Sequence, residues 1–324
     1  MRSIRIEDIN YAKYDSRIRL EGGLVGGSRP RLVLTHKENK KKYIFKSYLH
    51  NTNEIISECL ASHIGDILGI PIQHVSIRRL SPQLVRQLKT ISDKFPDDWV
   101  PVGTLASNIF PKTQEIKYGA TIVESPSAKM TLEQIEDYIK TKYYAPEDLL
   151  EKFACMIIFD SIIGNMDRHH ENWGIVETKK FRQALLIPNA KQIRKERHFT
   201  PLYDHGSSLL FELSDNNVTE YLNDISKFER DYILGKSYSF VLSSSGINEN
   251  IFTIIRQHIE SESSWGKRFR KAIAHIQLKC KYLEIAKKII QMPSKTDELN
   301  YSDDRKELVN RSITLRLHKL FSMI

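Results

Sequence analysis

Asp167 and Asn172 stand five positions apart in the run GNMDRHHENWG (164–174), a crowded polar stretch that follows an apolar one. Transfer of a phosphoryl group needs a carboxylate that orients the attacking hydroxyl and takes its proton. It also needs a nearby side-chain oxygen to ligate the magnesium bridging the phosphates. Asp167 and Asn172 supply these two groups. A second run, PLYDHGSS (201–208), sets Asp204 in an Asp-x-Gly behind a short apolar stretch, and its carboxylate is a hard oxygen ligand suited to a hard cation. Standing alone, Asp204 reads first as a turn carboxylate. Together with 167–172 it reads as the second metal ligand.

Residues upstream complete the set. In YIFKSY (43–48) strand alternation puts Ile44 and Lys46 on one face, so that Ile44 roofs an adenine while Lys46 reaches the phosphates. Glu58, on the helical stretch that follows, is the natural ion-pair partner for Lys46. The loop VGGSRPR (25–31) offers the backbone amides of Gly26, Gly27 and Ser28 and the guanidinium groups of Arg29 and Arg31 as a phosphate cover. Each feature alone is ordinary: a strand lysine or helix glutamate is generally solvated, and Gly-Gly reads as a hairpin turn. Their order adds the weight. Glycine-rich turn, strand lysine, helix glutamate, then an Asp and Asn five residues apart, then Asp-x-Gly, is the order in which protein kinases string these parts.

The elements that must hold these residues are legible from periodicity. Short β-rich runs at 32–34 and 43–45 flank a polar turn at 39–42. Apolar residues recur at helical spacing over 54–68 and stop at Gly69 and Pro71, and a further strand is expected over 72–77. Prolines punctuate 81–115 around a short helix, and a strand is expected over 117–124. The lobe junction is placed near Glu124. A short helix over 132–140 precedes a strong one opening at Pro146, Glu147 and Asp148, where an early proline and acids suit the positive helix end. It runs into Gly164. Amphipathic helices are expected over 249–261, 266–291 and 304–321. The fold class expected is therefore α+β and protein-kinase-like, with a small β-rich lobe (1–124) and a larger, mostly helical lobe (125–324).

Composition sets the bounds. A chain of 324 residues is long enough for two packed units, and 40% hydrophobic with 27% charged residues is a globular balance. No uninterrupted apolar stretch reaches the ~18 residues that span a bilayer, and the first residues lack a signal-peptide core, so a cytoplasmic protein is expected. Cys59, Cys155 and Cys280 lie far apart inside apolar helical patterns, which suits buried reduced thiols. The net charge of +9 favours acidic partners without naming them.

FDSIIGNMDRHHENWGI (159–175) and TPLYDHGSSL (200–209) resemble the two catalytic signatures of HipA-like serine/threonine kinases. A weaker resemblance extends through GGSRPR, YIFK and SECLASHIGDILGI, covering 22–77 and 147–210. It implies ATP and Mg2+ as cofactors, Asp167 as catalytic base and Asn172 and Asp204 as magnesium ligands. Lys46, His169 and Tyr203 would line the ATP site, and 26–31 would form the phosphate loop. The glycine-rich loop begins at Gly22, as in the short kinase-core (HipT-like) members of the family, some of which receive the missing subdomain as a separate protein. The position of the family's regulatory serine is taken here by Leu24, and Ser28 is the loop's own hydroxyl. The implied partners are a protein substrate, with aminoacyl-tRNA synthetases among the family's targets, and an antitoxin or a HipS-like subdomain protein.

Three other readings compete. Phosphoinositide kinases also use Asp-Arg-His-x-x-Asn, and a basic chain suits anionic lipid. A catalytically dead kinase fold would leave a binding module for acidic or nucleic-acid partners, with the basic run 179–198 as its surface. That run is expected to be a solvated loop and offers little aromatic stacking area, so direct nucleic-acid binding is not expected. Finally, His169, His170 and His205 would form part of a zinc site if they converged.

Overall fold

Among the described residues six strands form the N-terminal sheet: β1 (Glu7–Asp8), β2 (Tyr14–Asp15), β3 (Arg31–His36), β4 (Lys42–Ser47), β5 (Val75–Arg79) and β6 (Val102–Ser107). They lie in the order β1-β5-β6-β4-β3-β2, and β1 with β5 is the parallel pair. The computed structural model describes residues 6–9, 13–15, 31–48, 51–91, 99–107, 115–119, 130–143, 146–183, 191–237, 240–294 and 298–324. Leu24, Gly26, Gly27, Ser28 and Arg29 lie outside them, as does the junction expected at Glu124. Arg31 opens β3, and only its backbone is described.

The alternation read in YIFKSY is realised. Phe45 points into a core with Ile9, Leu32, Leu34, Leu80, Leu84, Trp99 and Leu105, while Tyr48 joins the larger core on the other face. Lys46 shares Tyr48's face and pairs across the sheet with Arg31 on one side and Thr104 on the other. Gly103 allows this: a Cβ there would lie 2.1 Å from the Lys46 carbonyl oxygen. The helix α1 (Asn53–Ile67) covers this face with Ile55, Ile56, Cys59, Leu60, Ala61 and Ile64, and each isoleucine or leucine so buried stabilises the fold by about 1.5–3 kcal/mol. After α2 (Pro82–Ile91) and β6, strand β7 (Glu115–Tyr118) pairs with a hairpin of the second lobe, β8 (Gly174–Gln183) and β9 (Lys191–Phe199).

The second lobe is helical: α3 (Leu132–Lys142), α4 (Glu147–Ile163), α5 (Asp215–Asn223), α6 (Ile225–Phe228), a π-helical turn (Glu229–Leu234), α7 (Ile251–Glu260), α8 (Ser264–Lys279), α9 (Tyr282–Gln291) and α10 (Asp303–Phe321). A reciprocal capping box between Thr131 and Gln134 starts α3. Buried nearly all round, α4 runs up the middle of the lobe against α8 and α10.

Three expectations need correcting. The stretch 266–291 is two helices: the chain is extended at Cys280, which turns α9 so that Ile285 and Ile289 enter the core against α1 and α10. The basic run 179–198 is not an irregular loop over its described residues but paired strand, with Lys179 opposite Lys195 and Arg197 opposite Glu177. Cys59 is buried as expected, whereas Cys155 and Cys280 are half-buried; all three thiols are free.

Candidate active site

The helix α4 leads into the candidate catalytic loop. It ends at Gly164 with φ 63°, and the Asn165 N–H turns back to the Asp160 carbonyl at 2.9 Å. One residue in this apolar helix is charged near its end: Asp160, buried. Its carboxylate accepts two hydrogen bonds from the Arg168 guanidinium, Nε to Oδ2 and Nη2 to Oδ1, both 2.9 Å, and a third from Asn165 Nδ2 at 3.0 Å.

Arg168 does more than neutralise Asp160. Its Nη1 donates to the Asn172 carbonyl at 2.8 Å and to the Tyr203 carbonyl at 2.6 Å, and its Nη2 meets His205 Nδ1 at 2.8 Å. One buried cation thus fastens the end of the Asp167–Asn172 loop to the residue before Asp204. Burial opposes its charge, but the Asp160 carboxylate outweighs that and holds its pKa above the ordinary guanidinium value. Because an arginine can only donate, His205 must accept at Nδ1 and carry its proton on Nε2. Burial, reinforced by the Arg168 charge, pushes the imidazole's pKa well below its ordinary value.

Asp204 has φ 60°, a left-handed conformation that costs a non-glycine residue about 1–2 kcal/mol and that aspartate tolerates better than most. The peptide groups on both sides are pinned. Arg168 holds the Tyr203 carbonyl, and the Glu58 carboxylate accepts the His205 N–H at 3.1 Å. The strained turn is therefore set by two side chains from different elements, and it aims the Asp204 carboxylate at Lys46, whose Nζ donates to Oδ1 at 2.9 Å. Lys46 Nζ also stands 3.7 Å from Glu58 Oε1, as the sequence led one to expect. Lys46 is only 8% exposed, so this ion-pair cluster is largely shielded from water.

Asn172 Nδ2 donates to the Asp167 carbonyl at 3.0 Å, which commits the amide nitrogen to the loop and leaves Oδ1 as the atom that could ligate a cation. Asp167 itself is exposed. Its backbone is held by Asn165 Oδ1, His169 N and Asn172 Nδ2, while its carboxylate makes no hydrogen bond among the described residues. His169 is half-buried, its Nδ1 accepting the Glu171 N–H at 3.2 Å. The Tyr203 hydroxyl donates to the Glu171 carbonyl at 2.7 Å and so braces the loop. Trp173 anchors the far end, edge-on to Phe153 and stacked on Phe199.

The structure brings together Lys46, Glu58, Asp204 and, through Arg168, the Asp167–Asn172 loop. The described residues hold no His, Cys, Asp and Glu group with metal-site geometry, and the three-histidine zinc reading fails because His205 is buried with Nδ1 turned to Arg168. Arg168 and Asp160 were not picked out from the sequence, and His205 was weighed only as a zinc ligand. An acid in the apolar last turns of the helix, with an arginine in the loop that follows, was the available signal.

The donor set fits ATP with magnesium. Lys46, Glu58 and Asp204 together carry one positive and two negative charges, an excess that a divalent cation held by Asp204 would offset, and the candidate ligands are hard oxygens.

No protein-family model matches the chain. It is 24% identical over 207 residues to the serine/threonine-protein kinase CtkA of Helicobacter pylori, an alignment covering 64% of this chain and 51% of that protein. The chain thus spans about half the length of that curated relative. In fold it is similar to the crystal structure of the H. pylori proinflammatory kinase CtkA, with a TM-score of 0.67 at 18% identity, covering 90% of this chain and 92% of the other. It is also similar to HipA of Shewanella oneidensis, solved with HipB and operator DNA, with a TM-score of 0.51 at 11% identity over 97% of this chain and 67% of that one. A sheet lobe and a helical lobe closing on Lys46, Glu58 and Asp204 make this a kinase-like fold, similar in sequence to the serine/threonine-protein kinase CtkA and in architecture to CtkA and HipA.

Proposed function

We propose that this chain is a serine/threonine protein kinase that transfers the γ-phosphoryl group of ATP to a protein hydroxyl. The observation that carries the reading is the convergence of Lys46 on Asp204 at 2.9 Å and Glu58 at 3.7 Å, beside a catalytic loop clamped by Arg168. When bound, ATP supplies the phosphoryl group and Mg2+ neutralises its developing charge. Lys46, oriented by Glu58, binds the phosphates. Asn172 Oδ1 and Asp204 are the magnesium ligands. Asp167, exposed and free of side-chain partners among the described residues, orients the acceptor hydroxyl and takes its proton. His169 and Tyr203 line the nucleotide side, and Gly26, Gly27, Ser28, Arg29 and Arg31 cover the phosphates.

The finer proposal follows the HipA likeness: an antitoxin or small subdomain protein as partner, and a cytoplasmic protein such as an aminoacyl-tRNA synthetase as acceptor. Among the described residues no helix is long and apolar enough to cross a membrane. Calorimetry with ATP, with and without Mg2+, tests the site. Asp204→Asn keeps a side chain that tolerates the left-handed turn, and should weaken magnesium-dependent ATP binding by about tenfold or more. Unchanged magnesium-ATP affinity would reduce Asp204 to a turn residue.

A further inference from the structure

Behind the catalytic loop a second cationic site takes no part in the chemistry proposed above. Arg316, on α10, is 2% exposed and packs beneath Gly164, where a Cβ would come within 2.9 Å of its Nη2. Its Nη1 donates to the Ser161 carbonyl at 3.0 Å and its Nε to Ser312 Oγ at 3.3 Å, while Nη2 makes no hydrogen bond among the described residues. Among the described residues no carboxylate pairs with it. Burial accordingly pulls its pKa down to about 10, with the more distant Tyr232 and Glu212 opposing.

Arg316 lines a pocket of about 20 Å3 together with Ser161, Asn165, Met166, Arg168 and Ser237. The Ser237 hydroxyl is buried and has no hydrogen-bond partner among the described residues, although its carbonyl is taken by the Ile251 N–H at 2.8 Å. The charges around the pocket do not balance. Asp160 also lines it, but both its oxygens are occupied by Arg168 and Asn165, so that pair is neutral and the charge on Arg316 is left over. The C-terminus of α4, through Ser161, offers roughly half a negative charge at most.

We propose that this pocket binds one small monovalent anion, chloride in the simplest case, held by the Arg316 guanidinium and the Ser237 hydroxyl. The volume admits a water-sized group. Charge selects an anion over water, since a buried cation lacking a counter-charge is destabilising. Bound there, the anion ties α10 to the turn that launches the catalytic loop.

An anion that binds only the native state raises stability by mass action. Thermal unfolding in chloride should therefore exceed that in gluconate at equal ionic strength and saturate with chloride. Ser237→Ala, which removes one donor to a charged ligand, should need about tenfold more chloride for the same shift. General salt effects act on the whole surface and would be the same in both proteins. Crystals of the wild-type chain grown in bromide should give an anomalous peak between Arg316 and Ser237, a readout that stands even if the variant fails to fold. Equal chloride response in both proteins, or a pocket holding a scatterer with no bromide signal, overturns the proposal in favour of a water.

Discussion

The Asp160 carboxylate, the Asn172 and Tyr203 carbonyls and a ring nitrogen of His205 all meet on Arg168, a residue 1% exposed. Removing one partner of such a buried pair strands the other. Arg168→Met should therefore destabilise the fold by about 3–5 kcal/mol, measured by urea unfolding, and weaken the loop's hold on Asp204. A loss under about 1 kcal/mol would mean water reaches Asp160 and the clamp is dispensable. The neighbouring His205 sets a pH dependence. Its folded pKa lies well below the ordinary 6.5, so between those values the unfolded chain binds a proton that the native state does not. Stability should then fall as pH drops below about 6.5, by up to about 1.4 kcal/mol per pH unit for each such group. His63 and His258 are shifted down as well, mainly by burial, and contribute with the same sign. In His205→Asn the slope should be shallower over that window; an identical slope would show that His205 does not resist protonation.

Lys46 reaches Asp204 only because β4 and β6 lie closely paired, and Gly103 is what permits that contact. Gly103→Ala must push the Lys46 backbone away. It should cost about 1–3 kcal/mol and lower ATP affinity together, as read by thermal unfolding and nucleotide titration on one sample. Lost stability with intact ATP affinity would separate the strand pairing from the site. Much at this scale was legible beforehand. The alternation in YIFKSY, the helix stop at Gly69 and Pro71, and the acids opening α4 are local signals, and each element formed where they stand. The break between α8 and α9 was not legible, because it carries neither glycine nor proline and follows from packing of Ile285 and Ile289. The pairing of 179–198 was hidden for a similar reason: its charges suggest a solvated loop, while its strand character comes from β7 and Phe199 beside it.

Across the whole molecule, α1 stitches the two lobes together. Ser57 Oγ donates to the Ser208 carbonyl at 2.9 Å, Glu58 accepts the His205 N–H, and just beyond the helix the Leu202 N–H bonds the Pro71 carbonyl at 2.9 Å. The segment carrying Asp204 is thus held by both lobes, which fits a site whose parts come from each. Lys46, Glu58 and Asp204, which the structure brings together, were named from type and spacing alone, as were Asp167 and Asn172, because the chemistry proposed for them demands particular residue types. Arg168, Asp160 and Arg316 could not be, since their roles rest on contacts made only when distant segments meet. The central claim is that Asp167 is the base of a phosphotransferase. Its carboxylate is exposed and free of structural hydrogen bonds among the described residues, so Asp167→Asn should leave the fold and magnesium-ATP affinity intact. Purified wild-type chain with Mg2+ and γ-labelled ATP should phosphorylate itself or a protein acceptor, and the variant should do so about 100-fold more slowly or less. Equal phosphate transfer by the two proteins, both folded and both binding ATP, would contradict the account.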